Sequence, residues 1–157
     1  MKLKQKDSFS TKKQPKTLYI SDLDGTLLNK DAELSGYAVD RLNSMIEGGL
    51  CFTIATARTA ATALSILKDL NLKLPLILMN GSLVYCTEER RYIKKALLNK
   101  ETVESIIPIM NASGVGGLMY TLTDEDELVV YYDQPDNAIL EAFMEERRRK
   151  YLKNSHM

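Results

Sequence analysis

The sequence predicts an α/β protein. Three short apolar runs, at about 18–22, 50–55 and 76–79, alternate with two stretches of helical periodicity. Each run ends in residues that suit the carboxyl end of a strand in an open α/β sheet, where ligands bind. The first ends in Asp22-Leu-Asp-Gly-Thr26, the second in Thr56-Ala-Arg58 and the third in Asn80-Gly81.

The first run, Leu18-Tyr-Ile-Ser, reads as a buried strand, and the two carboxylates that follow it carry the chemistry. Asp22 and Asp24 can hold a hard cation such as Mg²⁺, which takes oxygen ligands and keeps several waters. An Asp beside such an ion can attack a phosphoryl group. The second Asp, on the turn, can serve the leaving oxygen as a general acid. Gly25 allows a sharp turn with exposed amides, and the Thr26 hydroxyl can bond within it. Asp-x-Asp-Gly also opens calcium loops, and Asp-Gly is a common hairpin turn. Glu33 stands at the twelfth position counted from Asp22, as a calcium loop requires, but Leu27 occupies the sixth, where such a loop needs Gly.

After the polar connection 29–35, Val39, Leu42 and Ile46 give the apolar spacing of a helix over roughly 36–47. Ser35 can cap it and Gly48-Gly49 stop it. Leu50-Cys-Phe-Thr-Ile-Ala55 is a second strand. Its terminal Thr56, followed by amides and Arg58, forms a phosphate-binding corner; alternatively, Thr56 or Thr59 simply caps the next helix. That helix is expected over Thr59–Asn71, with Ala60, Ala63, Leu64, Leu67 and Leu70 facing the sheet. A third buried strand, 76–79, ends in Asn80-Gly81. This is either a plain turn or a polar contact at the ligand crevice.

From Ser82 the pattern changes. Residues 82–86 and 91–97 read as a hairpin around 87–90. Asn99 can cap a helix from Lys100 to about Asn111, with Val103, Ile106, Ile107 and Met110 inward and Pro108 expected to kink or shorten it. Two strands follow at 118–122 and 128–132 around an acidic loop, 123–127, which reads as a solvated turn. A last helix is expected from Pro135 to Tyr151, its basic end suiting the helix dipole.

Composition narrows the function. The 157 residues carry 21 basic and 21 acidic side chains, which demands neither a nucleic acid nor a membrane partner. No apolar run reaches the length of a spanning helix. Residues 1–16 hold six Lys and no apolar core, so they read as a basic, poorly ordered tail rather than a secretory signal. Cys51 and Cys86 lie far apart in apolar runs, the pattern of small buried hydrophobes in a reducing cytoplasm. The single histidine, His156, lies in the last three residues and reads as solvated.

Asp22-Leu-Asp-Gly-Thr-Leu-Leu28 resembles motif I of the haloacid dehalogenase-like (HAD) hydrolase superfamily. The likeness continues to about Tyr151 in the manner of its Cof-type branch, phosphatases of sugar phosphates and nucleotides. The resemblance implies a three-layer Rossmann-like core, its parallel sheet truncated, over 17–81, and a partial α+β cap of class II over 82–157. It implies Mg²⁺-dependent hydrolysis of a phosphate monoester of a small metabolite. Asp22 would be nucleophile and metal ligand, and Asp24 general acid and, through its carbonyl, metal ligand. Thr56 would hold the phosphate with help from Arg58 and Asn80; Ala57 stands where the branch usually has Gly. The family's later Lys and Asp motifs fall beyond the cap and have no counterpart in these 157 residues, so weak Mg²⁺ binding is expected. A non-catalytic HAD fragment that folds and oligomerises is the alternative. In the family the motif I strand is central; here its far edge would be bare, which predicts a homo-oligomer joined along it.

Overall fold

The computed structural model describes residues 17–114 and 117–132, together with Ala138, Glu141, Ala142 and Glu145. The basic tail 1–16 lies outside the described residues, as does the last expected helix apart from those four positions.

Strand β1 (Leu18–Ser21) runs parallel to β2 (Cys51–Ile54), with Tyr19 opposite Phe52 and Ser21 opposite Ile54. A parallel bridge between Ala55 and Ile77 joins this pair to β3 (Leu76–Leu78). Strand β3 pairs antiparallel with β4 (Leu83–Cys86), and β4 with β5 (Arg91–Lys95). The two sheets, β1-β2 and β3-β4-β5, thus meet at that single bridge, with β3 beside β2. Strand pairing runs across the sequence-expected boundary at 81/82, because the hairpin β4–β5 extends the sheet that β3 belongs to. Helices α1 (Gly36–Glu47) and α2 (Ala60–Leu67) lie between the parallel strands in the chain, and β6 (Leu118–Leu122) and β7 (Leu128–Tyr132) form an antiparallel pair after helix α3 (Lys100–Ala112). The fold is α/β, a short parallel sheet followed by an α+β unit.

The local signals explain the element ends. The Ser35 hydroxyl accepts the Ala38 N–H at 3.2 Å and starts α1. At its other end the Leu50 N–H reaches the Met45 carbonyl and the Gly49 N–H the Ile46 carbonyl. This pair of bonds requires the left-handed φ of +98° that Gly49 adopts. Thr59, not Thr56, caps α2, and Asn99 caps α3 by accepting the Thr102 N–H at 2.8 Å. Helix α2 ends at Leu67, short of the expected Asn71; there the chain turns back on α1, where Asn43 accepts the Asn71 N–H and donates to the Asp69 carbonyl. Pro108 does not shorten α3, which continues to Ala112. Pro108 is exposed and takes one N–H out of the helix without ending it.

The core is built from Leu23, Leu28, Ile46, Phe52, Ile54, Ala63, Leu67, Leu76, Leu78 and Leu83, among others. Thr53, buried within it, donates to the Pro75 carbonyl at 2.6 Å and so leaves no hydroxyl unbonded. Cys51 and Cys86 are half-buried, with free thiols, rather than wholly buried. Two further expectations of burial are corrected. Leu18, Tyr19 and Ile20 are 51–53% exposed, because among the described residues β1 has a partner on one side only. Ile106 and Ile107 of α3 are likewise exposed: the apolar side of that helix lines an open groove of about 1450 Å³ shared with β6 and β7.

Met79, Asn80 and Gly81 have φ values of +50°, +55° and +91°, three left-handed residues in succession. Asn tolerates this region better than other residues with a Cβ. Asn80→Ala is therefore expected to lower stability by about 1 kcal/mol in urea unfolding, with Asn80→Gly close to wild type. Leu23, fully buried, has the larger expected effect: Leu23→Ala should cost about 2–5 kcal/mol by the same measurement.

Candidate active site

Because β1, β2 and β3 are parallel, their carboxyl ends lie on one side of the sheet, and the candidate residues follow those ends. Backbone hydrogen bonds tie the loops together. The Ala55 N–H donates to the Ser21 carbonyl and the Thr56 N–H to the Ile77 carbonyl, both at 2.9 Å. The left-handed turn after β3 returns the contact, the Met79 N–H donating to the Arg58 carbonyl and the Asn80 N–H to the Thr56 carbonyl at 3.2 Å.

The acidic turn after β1 is a single wide turn over Leu23–Leu27, closed by the Leu28 N–H to the Leu23 carbonyl at 3.0 Å. Leu23 and Leu28 enter the core while Asp22, Asp24, Gly25 and Thr26 stay exposed. Gly25 has φ +73°, which a side chain would strain. Asp22 caps the turn itself, its Oδ1 accepting the Leu23 N–H at 2.7 Å. Thr26, expected to bond within the turn, is exposed instead, and main-chain and Asp22 bonds close it.

Asp24 is gripped by Arg58. The guanidinium donates from Nε to Oδ2 at 2.9 Å and from Nη2 to Oδ1 at 2.6 Å, a two-point pairing. Arg58 beside it holds the Asp24 carboxyl below the usual carboxylate range, chiefly through its hydrogen bonds; burial opposes them, and the charge of Arg58 adds a lesser lowering effect. Sequence reasoning placed both residues at the site but not this contact, which joins side chains 34 positions apart. An acid and an Arg at neighbouring strand ends were the only signal for it.

Thr56 is buried, at 5% exposure, and its hydroxyl accepts the Arg58 N–H at 3.2 Å. Ala57 is not among the residues with positive φ, so Ala fits where Gly was expected. Asn80 is exposed, held at the site through its backbone. The structure thus gathers all five predicted residues, Asp22, Asp24, Thr56, Arg58 and Asn80, onto three adjoining loops. The apolar groove is a separate feature; Met79 and Ser82 line it, next to Asn80, but none of the five does.

A cation at this turn would meet the Asp22 carboxylate and the main-chain oxygen of Asp24, whose carboxylate is engaged by Arg58. Among the described residues no three His, Cys, Asp or Glu side chains gather as a metal group. The donors are hard oxygens, as Mg²⁺ prefers, and fit an ion that keeps most of its waters. Among the described residues no helix is long and apolar enough to cross a membrane.

Comparison with known proteins identifies the family of the chain. The chain is 30% identical over 112 residues to the 5-amino-6-(5-phospho-D-ribitylamino)uracil phosphatase YwtE of Bacillus subtilis, a match covering 71% of this chain and 37% of that protein. Among solved structures it is similar to the HAD subclass IIB sugar phosphatase BT4131, with a TM-score of 0.62 and 27% identity over 83% of this chain and 48% of the other. It is similar also to TM0651 of Thermotoga maritima, with a TM-score of 0.61 and 27% identity over 87% and 49%. The chain spans well under half the length of its curated relative and about half that of the two solved proteins. The family model for haloacid dehalogenase-like hydrolases matches residues 19–157, and the chain belongs to that family.

Proposed function

We propose that this chain carries the nucleophile and phosphate-holding side of a Mg²⁺-dependent phosphatase for small phosphorylated metabolites, sugar phosphates or nucleotides. The observation that carries the reading is the contact of the two loops that bear the needed groups: Asp22 and Asp24 on one, Thr56 and Arg58 on the other, joined by the Asp24–Arg58 pair. The names of two relatives, phosphatases of a phosphoribityl compound and of sugars, support the substrate class.

The Asp22 carboxylate attacks phosphorus and the bond to the ester oxygen breaks, leaving an aspartyl-phosphate. The departing alkoxide takes a proton from the Asp24 carboxyl. Water then attacks the same phosphorus and gives its proton to Asp24, and the Asp22–phosphate bond breaks to release inorganic phosphate. Thr56 and Arg58 hold the phosphoryl oxygens, and Asn80 borders the opening to the substrate. The Asp22 carboxylate and the Asp24 main-chain oxygen would hold Mg²⁺, whose charge would offset the repulsion between carboxylate and phosphate. Cys51 and Cys86, both free, suit a cytoplasmic setting.

The expected result with p-nitrophenyl phosphate and Mg²⁺ is slow turnover that Asp22→Asn lowers by at least about 100-fold, since the attacking carboxylate is lost. Equal rates in the two proteins would reject the enzyme reading for this chain and favour the second one, a HAD fragment that folds and associates without turnover. The apolar edge at Leu18–Ile20, unpaired among the described residues, favours association under either reading, and we propose a homo-oligomer joined there. Light scattering at high protein concentration should give a dimer or larger species, and Ile20→Lys should shift it to monomer. A wild-type monomer throughout would reject the oligomer.

A further inference from the structure

We infer that the Asp24 carboxylate is an internal rival of the substrate phosphate for Arg58, so that the Asp24–Arg58 pair is a self-inhibited ground state that an incoming phosphoryl group must open. The inference rests on the phosphatase reading above and deepens it by giving Arg58 two successive partners.

The geometry is that of an occupied anion site. A guanidinium receives a carboxylate or a phosphate through the same planar fork, and here both prongs are taken by Asp24, at 2.9 and 2.6 Å. The two ends of the pair are held differently. The Arg58 main chain is pinned on both sides, its N–H on the Thr56 hydroxyl and its carbonyl accepting the Met79 N–H. Arg58 is also the more covered partner, its side chain 20% exposed. Asp24 sits beside Gly25 on an exposed turn, and its side chain is 54% exposed. The fixed member is therefore the cation and the displaceable member is the carboxylate.

Exchange is also favourable in charge and in role. An ion pair this exposed is weakened by solvent, so a dianion with more oxygens can displace a single carboxylate. While Arg58 is closed on Asp24 it is not available to phosphate, and apparent affinity falls by the fraction of molecules in that state. Displacement has a second consequence. The carboxylate released from Arg58 is the group that the proposed reaction needs at the leaving oxygen; freed of the guanidinium, it can take up a proton from solvent and pass it to that oxygen.

Calorimetric titration with inorganic phosphate, in one Mg²⁺-containing buffer, tests this with a four-protein cycle: wild type, Asp24→Ala, Arg58→Gln and the double variant. Asp24→Ala is expected to bind phosphate roughly 5–10-fold more tightly than wild type, the gain from opening an exposed pair. In the Arg58→Gln background the same change should give a clearly smaller gain. Equal gains in both backgrounds would mean simple charge repulsion and overturn the inference, as would no gain or no phosphate binding in any of the four. Should Arg58→Gln fail to fold, Arg58→Lys, which keeps the charge and loses the fork, takes its place with the same expectation. Acid-quenched wild type after p-nitrophenyl phosphate, read by mass spectrometry for phosphate on Asp22, reports the phosphatase reading separately. Coupling without phospho-Asp22 rejects that reading alone; phospho-Asp22 without coupling rejects this inference alone.

Discussion

The arrangement depends on one buried side chain between two exposed ones. Leu23 has no exposed surface, while Asp22 and Asp24 on either side of it are open to solvent. Burying a leucine stabilises by about 1.5–3 kcal/mol, enough to fix where its two neighbours emerge. Leu28 repeats the anchor at the far end of the turn, and the bond from its N–H to the Leu23 carbonyl closes the loop between them. The turn is thus a polar arch on two apolar feet. Its two carboxylates are presented together without either being buried, which would carry a large desolvation cost.

The arch matters because two other loops meet it. Parallel strands put their carboxyl ends on the same side, and the bonds from Ala55 to Ser21 and from Thr56 to Ile77 set the loop after β2 between its neighbours. The turn after β3 carries the conformational cost of this convergence. Met79 and Asn80 both occupy the left-handed region, of the order of 1 kcal/mol each for residues with a Cβ. Their N–H groups are satisfied by the Arg58 and Thr56 carbonyls, which offsets part of that cost and holds the loop bearing Thr56 and Arg58 from behind. Strain here lies next to the candidate chemistry and works to position it.

Features set by a few neighbouring residues were legible in the sequence. Helix α1 could be read from Ser35, Val39-x-x-Leu42-x-x-x-Ile46 and the Gly pair, and the Asn99 cap from its place before an apolar period. That the five candidate residues would share one side of the sheet was legible because strand-end groups do so whatever lies between them. Features set by distant packing were not. The apolar run of β1 does not say how many strands flank it, and Ile106 and Ile107 do not say whether another layer meets α3. The early end of α2 depends on Asn43, more than twenty residues earlier. The Asp24–Arg58 pair belongs to the same class: each residue type was expected at the site, but only the fold decides that they bond to each other.

That pair also changes what the site can be said to contain. An Arg expected to hold phosphate and an Asp expected to donate a proton are each other's partners in the structure, and while so paired neither performs its proposed part. Arg58 keeps the carboxylate ionised, whereas a general acid must hold a proton when the ester oxygen leaves. A catalytic account that assigned the two roles independently would be inconsistent with the distances observed. The roles become compatible only in sequence, with the guanidinium first on the carboxylate and then on the phosphoryl oxygens. The anchored main chain of Arg58 and the exposed turn of Asp24 determine which of the two moves.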